Sequence, residues 1–513
     1  MRPGMQAGAA HAKICTNKHL QPHGIAASPH CGSYPSRDMK QTSIAKTLAA
    51  LCAAAGLWSL HQAANTENTP AAKAVPAHAS YLQPVADMLP EQQQQFRAGE
   101  KVFNNFWIAI PNADISKWWD LSQPGPGGGG WGLGPTFLAT SCVQCHVQAG
   151  RGRVPEGSSG PLLQQTLRLS IPGEGPHGGP NPDPNYGVQI QSFDIIESKD
   201  QKRQTGEAEV HVDWKTSQFR FADGETIELR KPVIRVEKLN FGPLATGLMT
   251  SLRNTQAIYG LGYLEAVSEA DILALADAQK AQGLNGRPNY VRDDVNDKTS
   301  LGRFGWKANQ PSLKQQIAGA YHGDIGITSP LYPEQNCPPI QKACQQEKLT
   351  EKTELSEELW GQIAFWVSAL DVPPPRDTGN PAVLHGEKLF AAARCTQCHV
   401  PELKTRAYPA LPQLGNKRIR PYTDLLLHDM GPELADGRPD FKAGASDWRT
   451  SPLWGIGLSK QVNGSTNFLH DGRARNLTEA IVWHGGEATA SRDAFAKLSK
   501  KERADLIAFL QAL

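Results

Sequence analysis

Two pentapeptides of the form C-x-x-C-H carry the clearest chemistry in this chain: Cys142-Val143-Gln144-Cys145-His146 and Cys395-Thr396-Gln397-Cys398-His399. Two thiols at this spacing can add to the two vinyl groups of a porphyrin, and the histidine that follows can then reach its iron. A single copy would also suit a zinc or redox pair. Two copies, each behind the same short helical segment, point instead to two covalently held haem c groups, with His146 and His399 as the proximal iron ligands.

The elements around the motifs repeat as well. Gly99-Glu100-Lys101-Val102-Phe103 recurs as Gly386-Glu387-Lys388-Leu389-Phe390, and IAFWVSAL at 363–370 recurs as IAFLQAL at 507–513. Each copy therefore predicts a helix, a haem motif, a long stretch and a closing helix, which is the plan of a cytochrome c domain. Ser499 and Glu502 supply a capping box for the closing helix of the second copy. That copy, 380–513, is compact, whereas the first, 85–371, is swollen by insertions. GPGGGG at 125–130 reads as a loop, and the Pro/Gly-rich run 171–187 cannot be helical. Asp223-Gly224 between two alternating runs predicts a hairpin within a β-rich insertion at about 187–240. A stiff linker, 372–379, contains Pro373-Pro374-Pro375. The expected fold class is mainly α: two cytochrome c-like haem domains, the first enlarged by loops and a β-hairpin insertion.

Composition narrows the partners. In 513 residues, 52 basic side chains nearly balance 50 acidic ones, which leaves no field for holding nucleic acid. Met39-Lys40, Lys46 and the apolar run 48–60 have the form of a signal peptide over 39–64. Residues 1–38 then read as an upstream extension, and the chain as a periplasmic protein. The alternative for 48–60 is an uncleaved membrane anchor. Of the nine cysteines, Cys15, Cys31 and Cys52 fall before residue 64 and four belong to the haem motifs. The remaining pair, Cys337 and Cys344, suits a disulfide in an oxidising compartment, or else two buried thiols.

The sixth iron ligands are harder to read. In FLHDGRARNLTEAIVWHGGEA (468–488), Asn476 with Glu479 starts a helix and Gly485-Gly486 ends it. Leu477, Ala480, Ile481 and His484 fall at i, i+3, i+4 and i+7, so His484 shares the apolar stripe. It is either a core histidine bonded to a carbonyl or a distal ligand of the second haem. Met249 in GLMTSLRN is a candidate for the first haem, although a methionine there also suits simple packing. His470, Asp471 and Arg473, with His428 and Asp429, could bond haem propionates or direct protons, or could simply stabilise turns. Trp306 could lie between the haems as an electron relay or serve as bulk.

At these segments the chain resembles the bacterial di-haem cytochrome c peroxidases and the methylamine-utilisation di-haem enzyme. It resembles their di-haem (thiol) oxidoreductase relatives more closely. GPTFLATSCVQCHVQAGRG (134–152), GRFGWKANQPSL (302–313), GDIGITSPLYPEQNC (323–337), CTQCHVPELKT (395–405), YTDLLLHDMGPELADG (422–437), WRTSPLWGIG (448–457) and the 468–488 segment carry the resemblance. In the peroxidases a helix after a similar HDG segment supplies a distal methionine. The resemblance therefore implies that His484 ligates the second haem, with Met430 as the alternative. Bis-histidine ligation departs from the peroxidase pattern and implies a lower potential.

The function implied is an exported, peroxidase-like di-haem oxidoreductase, in which a C-terminal haem feeds a reactive N-terminal haem. A small redox protein or quinol-linked donor would supply electrons, and a small oxidant such as peroxide would take them. A Ca2+ ion at the domain interface is a further cofactor expectation. The alternatives are a non-catalytic periplasmic electron-transfer cytochrome and a thiol oxidoreductase using Cys337 and Cys344. The second ranks low because that spacing lacks the C-x-x-C arrangement of a catalytic dithiol.

Overall fold

Glycine at two matched positions lets two pairs of helices cross at close range. The helices that position the site are α1 (Pro90–Asn104), α2 (Leu313–Ala320), α3 (Glu357–Ser368), α4 (Pro381–Ala392), α5 (Leu477–Val482) and α6 (Lys500–Ala512). α1 packs on α3, and α4 packs on α6. A Cβ at Gly99 would collide with the Gln362 carbonyl, and one at Gly386 with the Asp505 carbonyl. The repeated segment thus keeps its glycine because the partner backbone occupies the space a side chain would need. Four residues on, the aromatic of each copy packs across the same crossing. Phe103 lies 4.4 Å from Trp366, and Phe390 lies 5.4 Å from Phe509, ring centre to ring centre.

The computed structural model describes residues 81–109, 130–154, 158–159, 162, 164–195, 206–346 and 353–513. The extension 1–38, the signal segment 39–64 with its apolar run 48–60, and nearly all of the GPGGGG loop lie outside the described residues. Among the described residues no helix is long and apolar enough to cross a membrane.

The expectation of a mainly helical class is corrected here. Among the described residues 33% are helical and 21% are in strands, the strands spread over many small sheets. The longer strands are β1 (Gln165–Glu174), β2 (Glu209–Arg220), β3 (Thr226–Glu237) and β4 (Met249–Asn254). β4 pairs antiparallel with β1, so the inserted segment is bounded by a sheet and is not merely looped out. Elsewhere strands of two to four residues pair locally: Tyr290–Asp293 with Lys298–Leu301, Leu403–Lys404 with Arg418–Ile419, and Leu427–Asp429 with Asp447–Arg449. Such short pairings carry too little alternation to register in a sequence pattern.

β2 and β3 form one antiparallel hairpin running from Glu209↔Glu237 to Arg220↔Thr226. Its turn holds Gly224 at φ +90°, and the Asp223 carboxylate accepts from the Glu225 N–H at 3.1 Å. The tip is pinned to α6. Arg503 lies 4.1 Å over the Phe221 ring and pairs with Asp223 at 2.8 Å and Glu225 at 2.5 Å. One apolar core joins Phe103, Trp360 and Trp366 with Leu414, Leu425 and Trp454. A second joins Phe390, Phe495 and Phe509 with Trp306, Phe221 and Leu229.

Candidate functional site

Each C-x-x-C-H segment lines a cavity, and the same helix crossing stands beside each histidine. Phe103 is 6.4 Å from His146 at an interplanar angle of 55°, and Phe390 is 6.2 Å from His399 at 54°. His146 Nδ1 lies 2.8 Å from the Gln256 carbonyl, and His399 Nδ1 lies 2.9 Å from the Tyr422 carbonyl. A carbonyl only accepts, so Nδ1 carries the proton in both rings. The Nε2 lone pair is therefore left for a metal, the usual outer-sphere arrangement for a ligating imidazole. Desolvation pulls both histidines down to about 4, so both are neutral donors at physiological pH.

None of Cys142, Cys145, Cys395 and Cys398 is in a disulfide. Burial pushes Cys142, Cys145 and Cys395 up to about 12 and raises Cys398 as well. All four are protonated thiols rather than reactive thiolates. That suits addition across a vinyl group, in which the thiol hydrogen ends on carbon.

The cavity around His399 has a volume of about 190 Å³ and is lined by Cys395, Cys398, His428, Met430, His470 and His484, among others. His484 Nδ1 lies 2.8 Å from the Ala480 carbonyl, so it too presents Nε2 as a donor. Its proximity lowers His399 further, and desolvation lowers His484 itself. α5, whose Asn476 cap accepts from the Glu479 N–H at 2.9 Å, ends at Val482, short of the Gly485-Gly486 stop expected from the sequence, and His484 follows two residues beyond it.

The other sequence candidates separate by position. His428 faces this cavity with both ring nitrogens engaged, by Asp424 at 2.8 Å and Glu487 at 3.1 Å. Desolvation opposes its charge, but these carboxylates and Cys398 outweigh it and raise His428 to about 12. Cys398, Asp424 and His428 bring three metal donors within 4.8 Å of one another. Both nitrogens of His428 are committed to carboxylates, and of the trio only Cys398 and His428 line this cavity, with Asp424 buried behind them. His470 stacks on Trp448 at 3.7 Å and 8°, and desolvation brings it to about 4. Asp471 and Arg473 form a buried ion pair, with Arg473 Nε 2.8 Å from Oδ2, and are not among the lining residues. Asp429 is exposed and accepts from the Gly431 N–H at 2.8 Å. Met430 lines the cavity.

The cavity around His146 is larger, about 390 Å³. Among the described residues that line it there is no second histidine and no methionine. Met249 starts β4, paired with Ser170, and lines neither cavity. What the sequence reading missed is a polar wall of Arg168, Arg253, Gln316, Tyr321 and Asp324. Beyond α2 the helix widens into a π-turn over Tyr321–Ile325, a distortion frequent at functional sites. There the Asp324 carboxylate accepts from Gln189 Nε2 at 2.9 Å, and desolvation raises its pKa.

The buried Arg151 Nε has no hydrogen-bond partner, whereas Arg253 NH2 is ion-paired with Asp440 at 3.3 Å. Both side chains line this cavity, and Arg151 has a donor to spare for a carboxylate such as a haem propionate. The thiols, the Nε2 donors and these guanidinium groups together fit haem c at both positions. Arg151, Trp306, Arg449, Ser451 and Pro452 line both cavities, and Trp306 is fixed by Nε1 donating to the Asn254 carbonyl at 2.8 Å. Cys337 and Cys344 form a disulfide with Cα atoms 5.8 Å apart.

Residues 123–513 match the family described as "Di-haem oxidoreductase, putative peroxidase". No curated protein matches the chain. Among solved structures, it is similar to a Kuenenia stuttgartiensis hydrazine synthase at 13% identity, over 88% of this chain and 98% of that one, with a TM-score of 0.32. It is also similar to a MauG-like protein associated with microbial copper homeostasis, at 18% identity over 40% of this chain and 68% of that one, with a TM-score of 0.25.

Proposed function

The chain belongs to the di-haem oxidoreductase family, and from that footing we propose that it is an exported, peroxidase-like di-haem c-type cytochrome. The site of His399 and His484 takes in electrons, and the site of His146 delivers them to a small oxidant such as peroxide. The observation that carries this reading is the unequal supply of donors. The second cavity offers two imidazoles, each with Nδ1 tied to a carbonyl, whereas the first offers one and surrounds it with polar groups.

Bound haem supplies the one-electron chemistry and a coordination position for the oxidant. The chain supplies the rest. His146 and His399 would hold the metal as neutral donors. Arg151 would hold a carboxylate of the group and neutralise it, beside Arg253 in its pair with Asp440. Asp324, whose carboxyl pKa is raised by its enclosure, stands within the first cavity, where reduction of an O–O bond consumes protons. Trp306, in the wall shared by both cavities, offers an aromatic path between them.

The Cys337–Cys344 disulfide suits an oxidising compartment and supports export to the periplasm. A small redox protein or a quinol-linked donor is the proposed electron source. Electron paramagnetic resonance of the oxidised holoprotein tests the reading. One high-spin ferric signal that shifts on adding cyanide, beside one low-spin signal, is expected. Two low-spin signals with no response to cyanide would replace the reading with that of a closed electron carrier.

A further inference from the structure

A second internal repeat, hidden at the level of residue identity, emerges when the two cavities are compared. α2 and α5 stand at a constant offset along the chain, each behind the same turn. Phe304 bridges to Gln310 before α2, and Phe468 bridges to Ala474 before α5. Two residues later comes the cap. The Ser312 hydroxyl accepts from the Gln315 N–H, and the Asn476 side chain accepts from the Glu479 N–H. Each helix, in the second copy with the two residues that follow Val482, then presents one stripe to its cavity. Leu313, Gln316, Ile317 and Ala320 line the first cavity, and Leu477, Ala480, Ile481 and His484 line the second, at i, i+3, i+4 and i+7. Position by position, leucine matches leucine, isoleucine matches isoleucine, and Ala320 occupies the place of His484. Trp306 likewise occupies the place of His470, six residues before each cap.

From this match we infer that the eighth residue after the cap decides whether the haem in its cavity is closed or open, and that Ala320 is the residue that keeps the first haem open. This rests on the proposed function and deepens it by naming the determinant. The physical argument is one of reach. A histidine at this position, eight residues beyond a matching turn and cap, presents Nε2 into the cavity, as His484 does with its Nδ1 held by the Ala480 carbonyl. An alanine there ends at Cβ and carries no donor. The remaining lining of the first stripe, Leu313 and Ile317, carries none either. Gln316, a turn earlier, is a weak metal donor but a good hydrogen-bond partner for a small oxygen-containing molecule. The axial donor therefore differs between the two cavities through the substitution at this matched position and not through a different scaffold.

The test uses the full chain matured with two haems, with spin state as the readout. In Ala320→His, the high-spin ferric signal of the parent should disappear. A second low-spin signal should replace it, and cyanide binding should fall at least tenfold. In His484→Ala, the low-spin signal should be lost and the high-spin signal should roughly double. A folded Ala320→His protein that carries two haems and keeps its high-spin signal would overturn the inference. So would a His484→Ala protein whose second haem stays low-spin, and this arm decides the matter if Ala320→His fails to fold. A parent protein that itself shows two low-spin signals would sink the proposed function first, which separates the two failures.

Discussion

Glu207 shows how much one buried group can impose on this molecule. It lies just before β2, and its carboxylate accepts from the Gln191 N–H at 2.7 Å and from Gln341 Nε2 at 2.6 Å. Gln341 sits within the disulfide loop, so one carboxyl ties that loop to the root of the hairpin. Desolvation pushes its pKa from 4.5 up to about 8 against the pull of those hydrogen bonds. The folded chain therefore binds a proton that the unfolded chain has released, and stability falls as pH rises from about 4.5 through about 8. Below that window the group contributes no penalty, and above it the cost reaches a few kcal/mol. Glu207→Gln should flatten this part of the profile: its thermal midpoint should change less than the parent's between about pH 5 and about pH 9. Equal slopes for the two proteins would place the ionisation elsewhere. At the same scale, much of the site is legible in the sequence. The two pentapeptides declare themselves by residue type, and His484 does so by falling on an apolar stripe. Arg168, Arg253 and Asp324 do not, because a charged residue in a sequence gives no sign of facing a cavity until distant segments enclose it.

Among the elements, the paired helices are legible because both their amphipathic pattern and their glycine recur. The crossing itself makes a prediction. A methyl group at Gly386 has nowhere to go between α4 and the Asp505 carbonyl, so Gly386→Ala should destabilise the chain by about 1–3 kcal/mol, the usual cost of overpacking a tight contact. Chemical denaturation measures this directly, and a change under about 0.5 kcal/mol would mean that the helices part without cost. The short sheets are not legible. Leu427–Asp429 and Asp447–Arg449 pair over three residues each, and no three-residue window separates a strand from a loop. Their pairing depends on contacts between residues far apart in sequence, and these turn a helical expectation into a mixed structure. The Asp223-Gly224 hairpin is the opposite case, with twelve-residue strands and a turn dipeptide that names its own geometry. The kinship of α2 with α5 is hidden in the sequence because only Leu313/Leu477 and Ile317/Ile481 are shared on the stripe. Caps and turns preserve the rest with different residues.

Across the whole molecule, neither haem site is built from one half of the chain alone. The first cavity, centred on His146, draws Arg438, Asp440, Arg449 and Trp454 from the second half, and one apolar core spans both. Thermal unfolding of the oxidised holoprotein should accordingly follow a single transition, with haem absorbance and far-ultraviolet circular dichroism superimposing. Two separated midpoints would show that each half melts on its own despite the shared wall.

That shared wall also bears on how the protein is made. On a chain that emerges N-terminus first, Cys142 and Cys145 arrive well ahead of the segment from Arg438 to Trp454 that completes their chamber. The first porphyrin can therefore be attached while the chamber still lacks one side, and only the later arrival of that segment seals it. By the time Cys395 and Cys398 emerge, Arg151 and Trp306 of the common partition are already present, while Arg449, Ser451 and Pro452 are still to come. The order of emergence leaves an open approach to a site that, in the finished protein, is closed by segments from both halves of the chain.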